Sequence, residues 1–126
     1  LQDYEEVYDY RNIEVTIDEQ GVFKVKMNES LAVALLTNLL KNAFVHNIDG
    51  GHIRITITKN GITFRNSGVE HPLDKEHIFE RFYQGSKKEG STGLGLAIAD
   101  SICRLQHLNI KYYFEQNEHC FEISQS

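Results

Sequence analysis

Ser91-Thr92-Gly93-Leu94-Gly95-Leu96-Ala97-Ile98 carries a loop holding two glycines straight into an apolar segment with helical spacing. Glycines let a backbone come close to an anion, and the unpaired N–H groups of a helix start point outward with partial positive charge. Such a junction can bind phosphate or serve only as a packing device, so the segments around it decide the reading. The spacing predicts a helix over about Leu94 to Gln106, burying Leu94, Ala97, Ile98, Ile102 and Leu105.

Beyond that helix, Ile110 to Phe114 is expected to pair with Cys120 to Ile123 in a hairpin. Before it lies a polar segment, 69–92, with the only proline, Pro72, and an apolar-aromatic island from Ile78 to Tyr83. Connections of that length are functional lids or disordered, and its composition predicts mobility. Further upstream, His52 to Thr58 alternates around Ile53, Ile55 and Ile57, and Asn60-Gly61 supplies a two-residue turn into Ile62 to Arg65. Asn28 is the N-cap of an amphipathic helix carrying Ala32, Leu35, Leu36, Leu39, Leu40 and Ala43 to about Val45, stopped by Asp49-Gly50-Gly51. Ile13, Val15 and Ile17, then Phe23 and Val25, predict two N-terminal strands turning at Gly21. Strands, helix, hairpin, lid, helix, hairpin, without βαβ alternation, make an α+β fold with helices on one face of a mixed sheet.

A chain of 126 residues, 40% hydrophobic and 25% charged, is one globular domain with an adequate core. Its net charge of -5, with Lys87-Lys88 the only basic pair, argues against nucleic acid as a partner. No apolar stretch approaches the ~20 residues of a membrane span. The chain opens at Leu1 without a Met, so it is read as an excised piece whose parent could carry a membrane segment upstream. Cys103 and Cys120 have no metal-ligand spacing, suit a reducing compartment, and are expected to be buried small apolar residues.

On the first helix Asn38, Asn42 and His46 fall four apart on one face, with Lys41 near the edge of that stripe. Amides there are either solvent-facing filler or ligands, since an amide oxygen can bind Mg²⁺ when phosphates supply the negative charge. Asn66-Ser67-Gly68 ends a strand with a short polar side chain and leaves Gly68 open to close backbone approach, or is an ordinary strand-ending turn.

Four boxes in order carry a family resemblance. Asn38-Leu39-Leu40-Lys41-Asn42-Ala43 resembles an N box and Asn66-Ser67-Gly68 a first glycine box. Ile78-Phe79-Glu80-Arg81-Phe82-Tyr83 resembles an F box, and Gly93-Leu94-Gly95-Leu96 a second glycine box. From about Ile13 to Ile123 the chain is similar to the catalytic and ATP-binding domain of sensor histidine kinases. The resemblance implies a two-layer α/β sandwich of Bergerat type, with a mixed, mostly antiparallel sheet and a long ATP lid at about 69–92. Residues 1–12 would be the remnant of a linker from an upstream dimerisation helix, and 13–126 the ATP-binding kinase domain.

It also implies ATP and Mg²⁺ as cofactors, with Asn42 as the metal ligand and Asn38 and Lys41 at catalytic positions. Asn38 would stand where related ATPases keep a general base. An amide cannot take a proton at neutral pH, which fits transfer to histidine rather than hydrolysis. Gly93, Leu94, Gly95 and Leu96 would meet the phosphates through their backbone, with Lys41, Arg81, Lys87 and Lys88 neutralising charge. Phe79 and Phe82 would anchor the lid, and His46, Gly68 and Tyr83 complete the nucleotide-binding set.

Asn66 departs from the Asp usual at its position, and Glu70 stands where a further glycine is common. Without the charge, the bond to the adenine amino group should weaken, and an amide free to turn would loosen the choice between ATP and GTP. A degenerate nucleotide-sensing or scaffolding module is the alternative. The expected partners are a dimerisation and histidine-phosphotransfer domain of the parent chain and a response regulator receiver domain. The piece itself is expected to be monomeric and cytoplasmic, in a homodimeric parent anchored in the inner membrane.

Overall fold

Asn28 does open the first helix: its side chain accepts from the N–H of Leu31 at 3.2 Å, and helix α1 runs Glu29–Val45 in the computed structural model, which describes residues 12–81 and 94–125. The leucine stripe goes inward, with Leu35, Leu39, Leu40, Ala43 and Phe44 buried. The helix stops at Val45, and its carbonyls at Asn42 and Phe44 bond the N–H groups that follow. Gly50, at φ +75, turns the chain five residues later into β2, His52–Thr58.

Five strands form one sheet in the order β1-β2-β3-β5-β4, with β1 at Glu14–Glu19, β3 at Gly61–Asn66, β4 at Leu108–Glu115 and β5 at Glu118–Gln125. Strands β2, β3, β5 and β4 are joined antiparallel, and β1 pairs parallel with β2, Val15 opposite Ile53 and Ile17 opposite Ile55. Alternation sends Ile53, Ile55, Phe64, Phe121, Ile123, Leu108 and Tyr112 into one core with α1 and the second helix, α2, Gly95–Leu105. The opposite face, with Arg54, Thr56, Thr63, Arg65, Glu122 and Ser124, is an open polar groove. This is the mixed, mostly antiparallel α+β sandwich expected.

Three details differ. Residues 22–28 form no second strand, because the chain leaves the sheet at Gly21, where a Cβ would lie 3.0 Å from the Lys59 backbone nitrogen. Phe23, Val25 and Met27 keep a strand-like alternation because they pack on the core, and β1 takes β2 as its partner instead, with α1 as the long crossover that parallel pairing needs. In the first hairpin the two connecting residues are Lys59 and Asn60, and Gly61 already pairs with Thr58. Its glycine answers to β5, since a Cβ would meet the Ile123 carbonyl oxygen at 2.2 Å. The second hairpin turns on Gln116 and Asn117, both left-handed at φ 52 and 61, the two-residue geometry that suits strand twist.

Helix α2 is rotated from its predicted stripe. Ala97, Ala99, Ile102 and Cys103 are buried, while Ile98 is 42% and Leu105 67% exposed. The small side chains at 99 and 103 are the ones that face inward and allow a close approach to the rest of the core, which turns the larger Ile98 and Leu105 outward.

Burial pushes both thiols up to about 11, for Cys103 with Asp100 adding to it. At pH 8 about one thiol in 10³ is then ionised. Alkylation by iodoacetamide at that pH, followed by mass spectrometry, is expected to label neither cysteine in the native protein and both once denaturant unfolds it.

Candidate functional site

The row of Asn38, Asn42 and His46 on α1 lies beside both glycine boxes. All three residues are half-buried rather than solvent-facing. Asn38 donates from Nδ2 to the Ala34 carbonyl one turn back at 2.8 Å, which fixes its amide and leaves Oδ1 toward the start of α2. A Cβ on Gly95 would lie 3.3 Å from that Oδ1, so the N box and the second glycine box are neighbours. At the other end of α1, a Cβ on Gly68 would lie 2.9 Å from the His46 carbonyl oxygen, so the strand-ending box is a neighbour too. Leu94 gives α2 no side-chain cap, and its carbonyl accepts the regular bond from Ile98 at 2.9 Å. Leu96 lies beside it, partly buried against the core. Lys41 and Arg81 are exposed. Phe82, Tyr83, Lys87, Lys88 and Gly93 lie outside the described residues, as does the 82–92 part of the expected lid.

Asn66 is the most informative of these residues. It is 2% exposed at the end of β3, and its Nδ2 donates to the Ser67 carbonyl at 2.7 Å. Its Oδ1 is the single buried side-chain polar atom without a partner among the described residues. Buried acceptors are ordinarily satisfied, so an orphan at a predicted binding position is a place where a ligand donor fits. Cross-strand from Asn66 stands His119, whose two ring nitrogens are already engaged. Nδ1 accepts from the Tyr112 hydroxyl at 2.7 Å, and Nε2 donates to the Val69 carbonyl at 2.7 Å. The Tyr112 hydroxyl in turn accepts from the Leu73 N–H at 2.9 Å.

Those bonds tie the first half of the segment expected to be mobile to the sheet. Val69 and Leu73 are tied to β4 and β5, Ile78 is buried, and Phe79 meets Phe121 edge to face with ring centroids 6.2 Å apart. Phe79 thus packs against the core. Asp74 closes a turn here by accepting from the Glu76 and His77 nitrogens.

Sequence reasoning missed Asn47. It is fully buried and makes four bonds: Nδ2 to the Ala43 and His52 carbonyls, both at 3.0 Å, and Oδ1 from the Ile48 N–H at 2.8 Å and the Ser67 hydroxyl at 2.6 Å. The Ser67 oxygen also accepts from the His52 N–H at 2.9 Å. A Cβ on Gly51 would sit 2.1 Å from Asn47 Oδ1 and 2.3 Å from Ser67 Oγ, so this knot explains the second glycine of Asp49-Gly50-Gly51. The signal available was that glycine, read only as a helix stop.

The sequence profile described as histidine kinase-, DNA gyrase B-, and HSP90-like ATPase matches residues 27–124. Sensor histidine kinase RppB of Synechocystis sp. is 44% identical over 84 residues, which cover 60% of this chain and 18% of that protein, so the chain spans about a fifth of that relative. Among solved structures, the nucleotide-free catalytic domain of histidine kinase ThkA superposes with a TM-score of 0.82 at 26% identity, over 97% of this chain and 84% of that one. Histidine kinase ThkA in complex with response regulator protein TrrA gives 0.75 at 25% identity, over 99% of this chain and 38% of that one.

Two outcomes follow from the packing around the site. Gly51→Ala should lower unfolding free energy by about 2 kcal/mol or more, because the added methyl must break the Asn47–Ser67 knot, and urea titration measures it. Burial pushes the His119 imidazole below its ordinary value, so its neutral form belongs to the folded state. That contribution is complete above about pH 6.5 and is lost as pH falls through the lowered folded value. Stability measured by urea titration should therefore drop on acidification below pH 6.5. His119→Gln should flatten that limb, while His77, raised by its exposed bond to Asp74, acts weakly in the opposite sense.

Proposed function

The chain belongs to the histidine kinase-, DNA gyrase B-, and HSP90-like ATPase family, an ATP-binding family, and from that premise we propose that it serves a two-component sensor histidine kinase as the domain that delivers the γ-phosphoryl of ATP to a histidine on a separate dimerisation domain. The observation that carries the residue assignment is the buried, unpaired Oδ1 of Asn66, an acceptor that matches the adenine amino group. The substitution of Asn for Asp therefore leaves the needed acceptor in place, and a module without transfer gains nothing from it.

In this reading Asn66 accepts from the base, and Gly68 leaves room for it against the His46 carbonyl. The N–H groups at the start of α2, with Gly93, Leu94, Gly95 and Leu96, meet the phosphates. The Asn42 carboxamide oxygen would hold Mg²⁺, which when bound supplies neutralising charge at the phosphate oxygens. Lys41, Arg81 and Lys87 add positive charge around the same oxygens. Asn38, its amide held by Ala34, positions and does not take a proton, so water is not activated. The acceptor histidine's ring nitrogen attacks the γ-phosphorus and ADP leaves, in a transfer governed by positioning and electrostatics. The partners are the dimerisation domain of the parent and a response regulator receiver domain, and the parent is membrane-anchored with this domain on the cytoplasmic side. No helix among the described residues is long and apolar enough to cross a membrane.

Calorimetric titration with a non-hydrolysable ATP analogue should show binding that strengthens with Mg²⁺, and Asn42→Ala should remove most of that dependence, a loss of at least about tenfold. Adding the parent's dimerisation domain with ATP should yield phosphohistidine without free phosphate release. Absence of nucleotide binding, or hydrolysis in place of transfer, overturns the proposal.

A further inference from the structure

We infer that Asn47 and Ser67 are positioning residues that set which purine the site accepts, by fixing the Asn66 amide with its oxygen unpaired. The inference rests on the nucleotide reading above and adds to it the basis of specificity.

An asparagine can present either its oxygen or its NH₂ to a ligand, and which one it presents is decided by what holds the other. Here Nδ2 is spent on the Ser67 carbonyl at 2.7 Å. A turn of the amide would put Oδ1 against that carbonyl, two acceptors face to face with no hydrogen between them. The carbonyl cannot swing away to accommodate this, because Ser67 is held at two other points. Its N–H donates to the His52 carbonyl at 3.2 Å, and its hydroxyl is clamped between Asn47 Oδ1 and the His52 N–H. Asn47 cannot yield either, since both its donor and its acceptor sides are already in use within a space that has no room for a Cβ on Gly51.

The neighbour that could have competed for the orphaned oxygen is His119, and it gives both nitrogens to Tyr112 and Val69. The site therefore holds a fixed acceptor. It matches a 6-amino purine, whose N–H donates, and opposes a 6-oxo purine, which places a second acceptor there. The negative charge usual at this position is not needed for the choice, and the free rotation expected from sequence is absent. Polar mismatches at buried sites are rejected more strongly than differences in apolar bulk.

The test uses the imido analogues of ATP and ITP, whose bases differ at the 6-position and the adjacent N1 proton. Calorimetric titration of the native chain should give an ATP preference of at least about tenfold. Ser67→Ala, which removes the hydroxyl clamp and leaves residue 67 held only through its N–H, should shrink that ratio about threefold or more. In the ligand-free native protein, the Asn66 side-chain amide should show one hydrogen-bonded, slowly exchanging proton by NMR, and Ser67→Ala should speed its exchange. Equal affinity for the two analogues, a ratio unchanged in Ser67→Ala, or an Asn66 amide that exchanges freely in the native protein overturns the inference. Failure to bind either analogue overturns the nucleotide reading beneath it instead. The native titration and spectrum decide the matter even if the variant does not fold.

Discussion

A buried carboxamide with every hydrogen-bonding position filled holds the site end of this domain together. Asn47 is wholly removed from water, where an unsatisfied amide would cost several kcal/mol, and its four bonds reach the last turn of α1, the loop that follows, the start of β2 and the end of β3. Apolar packing of the leucine stripe brings α1 onto the sheet but is indifferent to small sliding. The knot is not, because hydrogen bonds are directional and a slide of about 1 Å would strain several at once. Gly51 is the steric counterpart of the same constraint, and Asn66, Ser67 and Gly68 take their places from it.

Much of the architecture was legible because it rests on periodicity. Residues 29–45 repeat as a helix must to bury one face, and 52–58 alternate as a strand must, so both elements stand where expected. What was not legible depended on distant neighbours. Phe23, Val25 and Met27 have the pattern of a strand and pack on the core, but they join no strand pairing among the described residues. Gly61 sits where a turn glycine would, yet its reason is a carbonyl on β5, far along the chain. Ile98 and Leu105 lost their places to Ala99 and Cys103, because helix orientation follows how closely the backbone can approach rather than which residues are most apolar.

The same division runs through the candidate site. Box order named Asn38, Asn42, Asn66, Gly68 and Gly95, and the fold gathers them around one face of α1. Sequence could not tell which way an amide points, since that is fixed by partners rather than by residue type. Nor could it see that His119 and Tyr112, remote in the chain, fasten the segment after Gly68. Polar composition alone made that segment look loose.

The strand order also has a kinetic side. Hairpins β2–β3 and β4–β5 close short loops and can form on the microsecond scale by themselves, whereas the β3–β5 seam between them joins positions that the whole stretch from Ser67 to Glu118 separates. Closing that loop carries the larger entropy cost and sets the contact order of the domain. The glycine boxes, the F box and α2 all lie within it. Joining the two hairpins is thus the step that also brings the boxes of the candidate site into one fold.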